Sequence, residues 1–186
     1  MKKSGYGTLQ SFSFSLKIRG NRMKTIEIKK LSKKYKIRTL HLEDTKMIYT
    51  FCKKNTQYYE YCGKELTIPF IEQDLVITPP NIPLDQKYYV GFFDGEKLVA
   101  VMDLIDGYPD QECAYIGFFM MNHDLQGEGV GSAIISDVLA YLREEGFEKC
   151  QLGIDRDNPQ SNHFWRKNGF SVIREAGDIL VAEKEL

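Results

Sequence analysis

Residues 117–142 read GFFMMNHDLQGEGVGSAIISDVLAYL. An apolar run ends at Asn122, a glycine-rich turn follows at Gln126-Gly127-Glu128-Gly129-Val130-Gly131, and then the hydrophobic period changes. Ile134, Ile135, Val138, Leu139 and Leu142 recur at i, i+1, i+4, i+5 and i+8, the stripe of an amphipathic helix. The prediction is strand, glycine turn, helix. Glycine lets the backbone turn tightly and approach a ligand, and the first free N–H groups of the helix point into the same turn. Such a corner suits a phosphate or pyrophosphate. No Lys-Ser/Thr follows the glycines, which excludes a Walker A loop. Ser132 stands where a GxGxxG read from Gly127 needs glycine, which excludes the dinucleotide fingerprint.

On the N-terminal side, KYYVGFF (87–93) and KLVAVMDLI (97–105) flank Asp94-Gly95, a pair suited to a tight hairpin turn. CAYIGFFMMN (113–122) reads as the next, mostly buried strand. Further upstream, YKIRTL (35–40) is a short alternating strand. Glu43-Asp44 opens a helix running to Lys54, and a second helical stretch covers 58–73. TPPNIPLD (78–85) is a proline-rich connection. Downstream, Gly146 stops the amphipathic helix and KCQLGID (149–155) is a strand. Asn158 caps a short helix with Pro159 at its first position and Gly169 as terminator. FSVIRE and DILVAEK are two final strands meeting at Ala176-Gly177. The order implies one mixed α/β domain.

The chain has 186 residues, with 25 Lys+Arg against 26 Asp+Glu, for a net charge of −1. Residues 1–40 hold 12 of the basic residues against the single acid Glu27, leaving 13 basic and 25 acidic residues in the remainder. A uniformly basic nucleic-acid binder is excluded for the main body. Residues 1–22, rich in Ser, Gly and Lys, are expected to be an N-terminal extension, disordered or foreign to the native chain, with the domain itself over 23–186. No apolar run approaches the ~18 residues of a membrane span. Four scattered cysteines and three histidines show no metal-ligand spacing, which reads as a reduced, cytoplasmic protein without structural zinc.

A second segment, NPQSNHFWRKNGF (158–170), follows the strand at 149–155. At ~100° per residue, Asn158, Ser161, Asn162 and Trp165 share one helix face. Together, Q-x-x-G-x-G at Gln126, Gly129 and Gly131 and the run Asn158, Ser161, Phe164, Trp165, Lys167, Gly169 and Phe170 make the chain resemble the GNAT superfamily of acyl-CoA-dependent N-acyltransferases. The resemblance spans roughly residues 37–184. It implies a mostly antiparallel mixed sheet of about six or seven strands flanked by about four helices, splayed between two central parallel strands.

It further implies N-acetyl transfer from acetyl-CoA to a primary amine of a small molecule or peptide, by direct attack on the thioester, without a metal. Phe119, Met120 and Met121 would pair with the pantetheine arm. Gln126, Gly127, Glu128, Gly129, Val130, Gly131 and Ser132 would bind the pyrophosphate, with Asn158, Ser161 and Trp165 approaching from the other side. The backbone N–H of Met121 or Phe119 would serve as oxyanion donor. Where many members carry a tyrosine as general acid this chain has Trp165, and where some carry a glutamate base it has Tyr115. Indole cannot donate to a thiolate as a phenol does. Replacement candidates are Tyr115, Glu112, Asp103 and Asp155, the acids otherwise reading as solvated strand-end carboxylates. His123 reads as a turn residue and Cys150 as a packed thiol. Tyr58, Tyr59 and Tyr61, with Tyr108, Glu60 and Glu65, are expected on the acceptor side. The alternative is a non-catalytic acyl-CoA-binding module of the same fold. No nucleic-acid or membrane partner is expected, and the assembly is a monomer or homodimer.

Overall fold

The computed structural model describes residues 26–186, so the expected extension over 1–22 lies outside the described residues. Among the described residues, β1 (Lys36–Thr39), β2 (Lys87–Asp94), β3 (Lys97–Asp106), β4 (Cys113–Met121), β5 (Lys149–Asp155), β6 (Ser171–Ala176) and β7 (Ile179–Glu185) form one sheet. Its strand order is β1-β2-β3-β4-β5-β7-β6. Every neighbouring pair is antiparallel except β4 and β5. A parallel pair needs a crossover of a dozen or more residues, and α4 (Val130–Glu144) supplies it.

The hairpin falls one residue later than its sequence suggests. Asp94 pairs with Lys97, so Gly95 and Glu96 are the turn residues. The helical stretch expected over 58–73 is two helices, α2 (Thr56–Tyr61) and α3 (Ile68–Val76). A new start inside it explains the split: the Thr67 side chain accepts from Phe70 N and Pro69 follows in the first turn. With α1 (Thr45–Cys52), α4 and α5 (Pro159–Lys167), the described α-helices number five.

Two apolar layers sandwich the sheet. On one face, Ile134, Ile135, Val138 and Leu142 of α4 and Trp165 of α5 pack on Phe92, Met102, Leu104, Ile116 and Leu152. On the other, Ile48 and Phe51 of α1, Tyr59 of α2 and Ile71 and Leu75 of α3 cover Tyr89, Val101 and Met120. The stripe read from the sequence is therefore the buried face of α4. Fully burying such a side chain contributes roughly 1.5–3 kcal/mol.

Replacing Ile135, which is 0% exposed, with alanine leaves a cavity and should cost about 2–5 kcal/mol. The same change at exposed Leu42 should stay within about 0.5 kcal/mol. Urea unfolding of the two variants reads the difference.

Candidate active site

β4 and β5 pair only from Cys113↔Lys149 to Ile116↔Leu152. Beyond that point they part. β4 stays on β3 as far as Ala100↔Met121, and β5 stays on β7 as far as Asp155↔Ile179. Each strand therefore turns one bare edge to a wedge in the middle of the sheet. Gly117 and Gly153, at its apex, are exposed. On the β4 edge, Asn122 N donates to Val99 O of β3 at 2.8 Å, whereas Met121 O accepts from the Asn55 side chain at 3.3 Å. Backbone groups alternate in direction along a strand. Phe119 and Met121 thus aim their N–H groups at the wedge, while Met120 is turned toward β3.

A bulge marks the apex. Asp103 faces Phe118 and Leu104 faces Ile116, leaving Gly117 as the extra residue. A Cβ at Gly117 would lie 2.5 Å from Asp103 Oδ2, so the carboxylate occupies the space a side chain would need. Bulges bend their strand and re-aim the residues beyond them. Before Gly117 the even residues Ala114 and Ile116 face α4; after it, the odd residues Phe119 and Met121 do.

Asp103 is 5% exposed and ion-paired to Lys87 Nζ at 2.7 Å. Expected as a solvated strand-end carboxylate, it is instead buried in mid-strand. Burial outweighs the lysine and pushes its carboxyl up to about 6. Its Oδ1 is buried with no hydrogen-bond partner, alone in this among side-chain polar atoms of the described residues.

The bulge also brings Tyr115 and Phe118, three residues apart, to the same α1–α3 face. Tyr115 Oη lies 3.2 Å from where a Cβ on Gly153 would be, so the phenol crosses the apex. Its ring meets Tyr108 edge-on at 5.2 Å. Burial and then Tyr108 raise the Tyr115 phenol above its ordinary range. The Phe118 ring meets Tyr58 at 5.7 Å and Tyr89 at 6.4 Å. Tyr89 donates to Asp74 Oδ2 at 3.2 Å, and burial pushes the Asp74 carboxyl up. Asp155, at the far lip of β5, is also raised by burial.

The other expectations divide. Tyr59 is 9% exposed in the helical core, and Tyr61 is half-buried. Glu60, Glu65 and His123 are exposed. The Glu112 carbonyl accepts from Glu148 N at the end of β4 remote from the wedge. Cys150 is fully buried and its thiol is pushed well up, as befits a packed residue.

The glycine turn lies at the wide end of the wedge. Gly129 caps α4 with φ +80, a left-handed conformation that side chains rarely adopt, and no side chain fills the cap. The first intrahelical bond is Ala133 N to Gly129 O, so the N–H groups of Val130, Gly131 and Ser132 have no acceptor within the helix. An added Cβ at Gly127 or Gly129 would meet nothing within 4 Å. Open backbone donors at a 15-residue helix's positive end form an anion cradle.

On the far side, Asn158 is 3% exposed and its Oδ1 accepts from Ser161 N at 2.9 Å. Its carboxamide nitrogen plays no part in that cap. Asn162 donates to the carbonyls of Asp155, Arg156 and Asn158, locking the β5–α5 corner. Trp165 is 6% exposed among Phe119, Phe164 and Phe170, and so belongs to the core that seats α5.

Two participants, Asn55 and Gln160, escaped the sequence reading. Gln126 Nε2 donates to Asn55 Oδ1 at 2.6 Å, and Gln126 Oε1 accepts from Gln160 at 3.2 Å. With the bond from Asn55 to Met121, one chain of amides ties β4, the start of α2, the glycine turn and α5. An Asn before a helix signals only a cap, yet no side-chain cap bond forms at Asn55, whose amide is spent on β4 and the turn. Gln126→Ala should leave Asn55 Oδ1 without its donor and speed amide exchange of Thr56–Tyr61 about tenfold. Exchange in the middle of α4 should not change.

Residues 47–170 match the family model described as "Acetyltransferase (GNAT) family". A mycothiol acetyltransferase of Propionibacterium freudenreichii is 32% identical over 68 residues, 37% of this chain but 21% of that relative's length. Among solved structures, an acetyltransferase from Thermus thermophilus superposes with a TM-score of 0.69 at 21% identity, covering 81% of this chain and 96% of that one. The PaiA N-acetyltransferase of Thermoplasma acidophilum in complex with coenzyme A gives 0.62 at 18% identity, covering 82% and 99%. These structural likenesses bear on the fold, which has the parted parallel pair and seven-stranded mixed sheet expected above. With the family model matching well over half its length, the chain belongs to the acetyltransferase (GNAT) family.

Proposed function

We propose that the chain transfers the acetyl group of acetyl-CoA to a primary amine, the amine attacking the thioester carbonyl directly. The observation that carries this reading is the bare edge of β4 leading from the apex at Gly117 to the anion cradle at Gly129. An extended pantetheine arm is a strand-like partner for such an edge, and a pyrophosphate suits the cradle. In this reading Phe119 and Met121 pair with the arm, Met120 between them being turned to β3 instead, and Gln126 through Ser132 hold the phosphates. Asn158 offers its free carboxamide nitrogen from the β5 side, with Ser161 beside it. The relatives named as acetyltransferases support an acetyl donor, and the neighbour named an N-acetyltransferase supports nitrogen as the acceptor atom.

The roles come from position. The N–H of Phe119 or Met121, aimed into the wedge, stabilises the oxyanion as the carbonyl is attacked. Tyr115, whose phenol crosses the apex and is held protonated by burial, gives its proton to the departing thiolate. It takes the part that Trp165, enclosed in the core, cannot.

The test is a heat-shift titration with CoA beside thiol release from acetyl-CoA across a panel of amines. Wild type should shift with CoA and release thiol with at least one primary amine. A shift without turnover on any amine would instead indicate a binding module, and no shift at all would sink both readings. Gly129→Glu should abolish the shift, since it places a carboxylate in the cradle and a side chain at positive φ. Tyr115→Phe should keep the shift and lower kcat by roughly 10²–10⁴-fold.

A further inference from the structure

We propose that Arg174 binds a carboxylate of the acceptor, so that the preferred amines are of the amino-acid type, with the carboxylate close to the carbon that bears the nitrogen. The inference rests on the transfer reading above and adds the acceptor's chemical class and the residue that selects it.

Beside the apex, one face of the sheet has no helix over it. The α1–α3 layer packs on β2, β3 and β4, and among the described residues none of β5, β7 or β6 belongs to it. On this side of the wedge Gly153, Arg174 and Ala176 are exposed and Ile179 is half-buried. A Cβ at Gly153 would meet Ile179 Cγ2 at 3.0 Å and Tyr115 Oη at 3.2 Å, so the open face is the one that the phenol crosses. Gly153 pairs with Val181, and Val181 with Arg174. Residues directly opposite one another point to the same side of a sheet, which puts Arg174 in one row with the apex glycine. Burial and then Tyr108 raise the Tyr115 phenol, and the nearby guanidinium draws it back down.

A bulge brings Arg174 to this side. Val172, opposite Ala182, packs toward the α4 core. Strict alternation would return Arg174, two residues on, to the same core. Instead the register shifts between Val172 and Arg174, with Ile173 as the extra residue, and Arg174 lies opposite Val181. Bulges are over-represented next to active sites, where they re-aim a side chain. β6 thus repeats across the wedge the device that Gly117 provides in β4.

The charges on this face indicate the ligand. Among the described residues, its cations are Lys149 and Arg174. Lys149 is held by Asp110 at 2.9 Å, at the end of β5 remote from the wedge. Glu183, on the next row to Arg174, accepts from Gln151 at 2.6 Å, and Glu175 is held by Arg156 at 2.6 Å. The Arg174 guanidinium has no hydrogen bond or ion pair among the described residues. Its planar fork matches a carboxylate with two parallel bonds. Two strand spacings, about 10 Å, separate Gly153 from Arg174. The arginine stem spans much of that distance over Val181, which is 5% exposed. The space left between guanidinium and apex suits an amine and a carboxylate set on one or two carbons.

The carboxylate stays out of the covalent step. The amine nitrogen forms the C–N bond, the C–S bond breaks, and the thiolate takes the Tyr115 proton. The phenolate recovers a proton from the adduct nitrogen, so neutral amine and thioester give amide and thiol.

The test compares the full chain with Arg174→Met and Arg174→Lys at saturating acetyl-CoA, following thiol release with enzyme-free rates subtracted. The probes are glycine and phenylalanine, each beside its amide, which keeps the amine and lacks the carboxylate. Methionine keeps an apolar stem over Val181 and removes the charge. Wild type should acetylate at least one of the two amino acids. In Arg174→Met, kcat/KM for that amino acid should fall about 10- to 100-fold, and for amines without the carboxylate it should change threefold or less. Arg174→Lys should regain part of the loss, since it restores the charge without the fork. Both variants should keep the CoA heat shift.

Equal changes for acids and amides, or no loss with the amino acids, would overturn the role of Arg174 and leave the transfer reading standing. So would a wild type that acetylates other primary amines but neither amino acid. A wild type that shifts with CoA and releases thiol with no amine would overturn the transfer reading, and this one with it.

Discussion

The open wedge in the middle of the sheet depends on a ladder that stops. β4 and β5 share hydrogen bonds over only four residue pairs, and past Ile116 and Leu152 each strand keeps one satisfied edge and one bare edge. Backbone N–H and C=O groups are obligatory partners, so strands in mid-sheet do not part without cause. Here the parting coincides with the close approach of a carboxylate to the β4 backbone. Asp103, fixed by Lys87, stands where a side chain at 117 would stand, and the strand takes up an extra residue and turns away. The same contact fixes which amides look into the gap and which rings line its front. A charged pair buried at 2% and 7% side-chain exposure is weak evidence for stability in itself. Its place at the bulge gives it a geometric role.

The gap has a second structural tie at its wide end. Gln126 spans from Asn55 to Gln160, and Asn55 holds the carbonyl of Met121. The glycine turn with its open backbone donors is thereby joined to α2, and α2 carries Tyr58 to the front wall against Phe118. Each link is a neutral hydrogen bond worth only about 0.5–1.5 kcal/mol net. Asn55 is 7% exposed, so the penalty for breaking its bonds exceeds the gain from making them. The glycine turn and the aromatic wall therefore share a buried partner.

Much of this was readable from residues whose physics is local. The change of period after Gly131, the proline and cap of α5, and the two segments 126–131 and 158–170 all act within a few residues. The order of elements came from that local physics, whereas the sheet splayed between parallel strands was implied only by the family resemblance that the two segments carry. The hairpin slipped by one position because register is set by the whole strand, not by the turn pair alone. The helical stretch at 58–73 divided because Thr67 could cap a new start that the aromatic pattern concealed. Trp165 shares a helical face with Asn158, but which neighbour that face meets is a tertiary fact, and it meets an aromatic core. Asp103 left a trace, a lone acid inside the apolar run from Leu98 to Ile105. Its partner lies on another strand and its contact at 117 on a third, so spacing could not reveal either.

Gly117 also divides β4 into two segments of opposite parity. Upstream, side chains alternate in one phase, with Tyr115 toward α1–α3 and Ile116 toward α4; downstream the phase is inverted. One strand thereby supplies two consecutive chemistries to a single face, a phenol at 115 and an aromatic wall at 118, although uninterrupted pleating would send them to opposite sides. The inversion depends on the residue count. Lengthening or shortening β4 by one residue at this point would exchange the inner and outer faces of Phe118–Met121 at a stroke, whatever the residues themselves were. In this strand, tolerance to substitution and tolerance to insertion are therefore separate properties, and the second is set at a single glycine.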